Sequence, residues 1–112
     1  MRILHFCPES DWRAALDAGS YTADTLATEG FIHCSTPAQA LLPANSFYRG
    51  QAGLVLLEID EARLPEPPRY EPGDPTDPGS MRFPHVYGPI PVAAVVAVRG
   101  LEPEPDGTFA PL

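Results

Sequence analysis

The stretch Phe31–Ser35, FIHCS, read beside Arg2–Cys7, RILHFC, decides the fold class. Both runs are short and apolar, and successive side chains on a strand point to opposite faces. In RILHFC this puts Ile3, His5 and Cys7 on one face and Leu4 and Phe6 on the other. In FIHCS, Phe31, His33 and Ser35 share a face, and Ile32 and Cys34 share the opposite one. Each strand therefore carries a histidine at its centre. Between them, Ser10–Ala18 reads as a helix: Ser10 can cap it, Asp11 suits the positive end of the dipole, and Gly19 can close it. Trp12, Ala15 and Leu16 form its expected buried stripe.

Working outward, GSYTADTLATEG (19–30) is polar, with a short strand at Tyr21 and a turn at Gly30. Thr36 followed by Pro37 predicts a second helix to about Tyr48, closed by Gly50 and kinked at Pro43. GLVLLEID (53–60) is the clearest strand in the chain. Six prolines between Pro65 and Pro78 exclude a regular helix or central strand there, leaving a loop with a short edge strand at Arg69–Glu71. MRFPHVYGPIP (81–91) reads as a second loop, and VAAVVAVRG (92–100) as a helical turn or the last strand. The acidic tail is peripheral, anchored by Leu101 and Phe109. Helices near the start and strands along the rest predict α+β rather than strict βαβ alternation.

At 112 residues the chain is one domain, residues 1–112, with one core. No apolar run approaches the roughly 20 residues needed to span a bilayer, and the N-terminus lacks a signal-peptide pattern. A cytoplasmic chain with reduced thiols is expected, and no membrane partner. A net charge of −8 repels phosphate backbones, which excludes generic nucleic-acid binding. All seven basic residues are arginine, so lysine chemistry is absent and any anion clamp needs arginine, histidine or backbone N–H groups. Composition leaves the oligomeric state open.

His5, His33 and His85 are the only histidines. Neutral imidazole both donates and accepts a hydrogen bond, which suits holding ribose hydroxyls or moving protons. Each one taken alone reads better as a histidine satisfied by backbone; three on strands and a rigid loop bring a functional reading level. A zinc site from His5, Cys7, His33 and Cys34 fails on geometry, because His33 and Cys34 are adjacent and point apart; no metal is expected. Cys7 and Cys34 read as small buried hydrophobes. No nucleophile-elbow motif supports acyl transfer, and no glycine-rich phosphate loop is present. Glu71 is a candidate general base, and Arg49 and Tyr87 are candidate ligand contacts beside the histidines.

The order ILHF, a Trp-bearing helix, EGFIHCS, SFYRG, LVLLEID and FPHVYGPIP resembles the bacterial family called domain of unknown function 952, from Ile3 to about Val98. A fainter similarity is to the ADP-ribosyltransferase-like fold, nearest to RNA 2′-phosphotransferases, in a first-strand histidine and a second-strand His-x-Ser. That resemblance implies a small, mixed, split β-sheet with two helices in the N-terminal half and a cleft between the sheet halves. It also implies that His5 contacts the ribose or phosphate of NAD or an ADP-ribose-like nucleotide, that His33 and Ser35 form the second motif and help orient the ribose, and that Glu71 or His85 stands in the third motif. Phe6 stands where that fold carries a glycine, and no third-motif glutamate is obvious. Two functions follow: a transferase related to ADP-ribosyltransferases, with His33, His85 and Glu71 catalytic, or a non-catalytic module binding a small ligand or a protein segment.

Overall fold

The computed structural model describes residues 2–111; Met1 and Leu112, the two ends of the expected domain, lie outside the described residues. Strand β1 (Arg2–Pro8) leads into helix α1 (Glu9–Ala18), the short strand β2 (Ser20–Tyr21) and helix α2 (Asp24–Thr28). Strand β3 (Ile32–His33), helix α3 (Leu41–Phe47) and strand β4 (Leu54–Asp60) follow. The second half holds β5 (Arg69–Pro72), β6 (Arg82–Val86), β7 (Ile90–Pro91) and β8 (Val95–Leu101), with 3-10 turns at Glu61–Arg63 and Val92–Ala94.

These strands form three small sheets, ordered β1-β4-β8, β2-β7 and β3-β6-β5. Every ladder among the described residues is antiparallel, which corrects the expected mixed sheet. The α+β class stands, with three α-helices rather than two in the N-terminal half. A single antiparallel bridge, Leu4 to Ser35, ties the β1 sheet to the β3 sheet.

Strand alternation sorts β1 as its sequence requires. Ile3 and Cys7 enter one core cluster with Ile32, Cys34, Leu57 and Ile59. Leu4 and Phe6 enter a second with Leu54, Leu56, Ala44 and Phe109. Burying such side chains contributes about 1.5–3 kcal/mol each, so the central β4 strand, apolar on both faces, anchors both clusters.

Four local expectations change. Helix α1 begins at Glu9 after Pro8, so Ser10 lies inside it and does not cap; Gly19 closes it at φ 85°. Leu16 is 53% exposed, leaving Ala15 and half-buried Trp12 as the helix's core contacts. The polar 19–30 stretch contains α2, whose five residues carry no apolar stripe to betray it. Helix α3 starts only at Leu41, so Pro43 falls in its first turn, where backbone N–H groups have no intrahelical partner, and no kink is required.

The largest correction is β6. The loop expected at 81–91 contains the central strand of the third sheet, despite Pro84. Pro84 is opposite Cys34, one residue beyond the end of β3, and its carbonyl still accepts from the Cys34 N–H at 3.0 Å. The missing donor thus falls where that ladder ends, a position a strand proline tolerates.

Candidate functional site

The register of the third sheet assembles the site. His33 pairs directly with His85, and His85 with Arg69, so the three side chains share one face. Ile32 and Val86 take the other face and lie in the core. Phe31 joins the histidine face and stacks on the His85 ring at a centroid separation of 4.1 Å and 15°. The His33 ring meets His85 edge-on at 5.2 Å.

Each of these two histidines has a carboxylate behind it. His33 Nε2 lies 3.2 Å from Glu29 Oε2 on the exposed surface. His85 Nδ1 lies 3.0 Å from Glu71 Oε1, the same oxygen that accepts from the Tyr87 hydroxyl at 2.5 Å. The Arg69 guanidinium sits 4.4 Å over the Tyr87 ring. Glu71 is held below the usual carboxylate range, first by the Tyr87 hydrogen bond and then by His85. His85 is shifted down because burial disfavours its charged form, with the Glu71 hydrogen bond opposing that shift.

A neutral His85 that donates Nδ1–H to a carboxylate must present Nε2 as an acceptor. That atom is buried and has no hydrogen-bond partner among the described residues. The residue is 4% exposed, so the atom is cut off from bulk solvent as well. Orphaned buried polar atoms are uncommon and call for an explanation.

His85 also lines a pocket of about 300 Å³. One wall is formed by His33, Ser35, Phe83 and His85, with Gly73 beneath Phe83. Leu4, Phe6, Pro43, Phe47 and Tyr48 form the other, and His5 and Cys34 complete the lining. The pocket is bordered by residues of the β1 sheet, the β3 sheet and α3, and all three histidines and Ser35 are in its lining.

His5 has a different place in it from its two fellows. Its Nδ1 donates to the His33 carbonyl at 2.5 Å, and its Nε2 accepts from the Tyr21 hydroxyl at 2.8 Å. Both ring nitrogens are thus satisfied by protein, and burial pushes the pKa down to about 4. His5 is therefore a neutral clamp holding β3 and β2 to β1, on a side chain that also lines the pocket. Arg49 does not line the pocket; its guanidinium reaches the Asp106 carbonyl at 3.4 Å. Glu71 and Tyr87 stand behind His85 rather than in the lining. Burial pushes the Cys7 thiol up to about 11 and raises Cys34 further, so neither is a nucleophile at neutral pH.

Sequence reasoning missed Tyr21, Glu29, Gly73 and Phe83. Alternation in FIHCS puts Phe31 on the His33 face, and the same rule applied to Phe83, two residues before His85, would have placed it too. Glu29 stands four residues before His33, a spacing that gave no signal without the turn at Gly30.

Comparison with known proteins sets this geometry in a family. Residues 6–98 match the family described as "Protein of unknown function (DUF952)". The chain belongs to this family. The crystal structure of CC0527 from Caulobacter crescentus is similar to this DUF952 chain, with a TM-score of 0.85 and 32% identity over 98% of this chain and 94% of that one. The solution structure of CC0527 gives a TM-score of 0.80 and 33% identity over 96% and 90%. Among curated proteins, none matches the chain. No helix among the described residues is long and apolar enough to cross a membrane.

Proposed function

We propose that the pocket binds the ribose-bearing part of a nucleotide of the NAD or ADP-ribose class, with His85 Nε2 accepting a hydrogen bond from a ligand hydroxyl. One observation carries this reading: a buried imidazole acceptor, its tautomer held by Glu71 and left without a partner among the described residues, on a side chain that lines the pocket. The same pair can act as a general base, taking the proton of an attacking hydroxyl as the glycosidic bond to nicotinamide breaks. His33 and Ser35 would orient the ribose from the same wall. The His-x-Ser order of that wall, and its resemblance to the ADP-ribosyltransferase-like fold, support a transferase related to that class.

A non-catalytic small-ligand module is the second reading. It is favoured by His5, whose nitrogens are both occupied, and by the absence of arginine from the described lining.

Calorimetric titration with NAD and ADP-ribose tests the first reading. The wild-type chain is expected to bind, and a folded His85→Ala variant to bind at least about tenfold more weakly, a loss of about 1.4 kcal/mol. No binding to wild type, or equal binding to the variant, overturns it. Nicotinamide release from bound NAD then separates a transferase from a binding module.

A further inference from the structure

We infer that the enclosed part of this pocket takes an uncharged, ring-bearing moiety with an O–H or N–H donor, and that any phosphate on the ligand stays outside. This rests on the reading of the cleft as a ligand site and narrows what enters it to the adenosine end, or to nicotinamide as the free base, since that ring is a cation while joined to the ribose.

The lining explains why. A phosphate needs cationic or N–H donors around it. The chain has no lysine, and none of its arginines is among the described lining residues. His5 has spent both nitrogens on protein partners, and His85 offers an acceptor. Behind the two pocket histidines stand Glu29 and Glu71, two carboxylates that repel an anion. Burial keeps His85 from taking the proton that would turn it into a donor. A phosphate in this space would therefore lose its water and find no cation to replace it, with the Ser35 hydroxyl as a single neutral donor.

A neutral ring meets the opposite situation. Phe6, Tyr48 and Phe83 supply aromatic wall, and Leu4 and Pro43 supply apolar wall. The Phe83 ring is seated in that wall because residue 73 is glycine: a Cβ there would lie 2.8 Å from Phe83 Cδ2. Size agrees as well. About 300 Å³ is at the small end of the roughly 300–1,000 Å³ range of ligand pockets, so a dinucleotide cannot be enclosed whole. Ser35 and the orphaned His85 Nε2 supply the few polar contacts that fix a ring's orientation.

The test is calorimetry on the full chain with adenosine, AMP, nicotinamide and inorganic phosphate. At least one of adenosine and nicotinamide is expected to bind, with AMP no tighter than adenosine, and inorganic phosphate not to bind. Affinity should hold between about 50 and 500 mM salt, because no exposed ion pair is involved. A folded His85→Phe variant, which keeps a ring but loses the acceptor, should weaken binding by about tenfold or more. Binding of AMP about tenfold tighter than adenosine would overturn the inference, as would binding of inorganic phosphate or no binding of either adenosine or nicotinamide. If NAD fails while adenosine or nicotinamide binds, the NAD reading falls and this inference stands. If NAD binds while both neutral probes fail, the reverse holds.

Discussion

His85 Nδ1 is 3.0 Å from Glu71 Oε1, and this contact sets which nitrogen of the buried ring carries the proton and which is left as the unpartnered acceptor. Replacing Glu71 removes the partner that fixes the tautomer. It also removes the influence that raises the His85 pKa against burial, so His85 should titrate at a still lower pH. In Glu71→Gln, NMR titration of the imidazole should report that downward move, with ligand affinity falling about tenfold. An unmoved His85 titration would show that the carboxylate does not govern the ring.

His5 makes the fold sensitive to acid. Its ordinary pKa of 6.5 is lowered to about 4 by burial, so below pH 6.5 the unfolded chain takes up a proton the native chain refuses. Stability is full above 6.5 and declines as pH falls through the window to about 4, by about 3 kcal/mol for this group. Urea midpoints measured across that window should fall more steeply for wild type than for His5→Phe. Parallel slopes would remove His5 as the cause.

The clamp itself should be costly to lose. His5→Ala deletes a buried ring and leaves the Tyr21 hydroxyl and the His33 carbonyl short of a partner. A destabilisation of about 2–5 kcal/mol is expected by chemical denaturation.

Phe47 separates binding from folding. It lines the pocket yet is 80% exposed, so its truncation creates no core cavity. Phe47→Ser should leave the thermal midpoint nearly unchanged, within about 0.5 kcal/mol, while weakening whichever ring-bearing ligand binds. A large loss of stability with intact binding would contradict the placement.

Thiol reactivity checks the burial of Cys7 and Cys34. Both are raised above the usual thiol range by burial, so neither should react with an aromatic disulfide reagent at pH 8 in the native state. Both should react in guanidinium. Rapid native labelling of either would mean that the core around β1 opens readily.

Much of this arrangement was legible in the residues. The alternation in RILHFC placed Leu4 and Phe6 in one cluster and Ile3 and Cys7 in the other. The edge strand at Arg69 survived its proline-rich surroundings because prolines flank it rather than interrupt it. Strand β6 was hidden by Pro84, since nothing in the local sequence reveals that its neighbour strand stops at that rung. Helix α2 was hidden by polarity. The His85–Glu71 contact joins residues 14 apart across a hairpin whose register no local signal sets, which is why Glu71 read only as a candidate base. Arg49 looked like an anion clamp by type, but the chain turns at Gly50 and carries it toward the C-terminal segment.

The pairing of Arg2 with Asp60 has a consequence for synthesis on the ribosome. Strand β1 is made before its ladder partner, Leu54–Asp60. Until that partner follows, the apolar run from Ile3 to Cys7 has no sheet to enter and is open to mispairing with other strand edges.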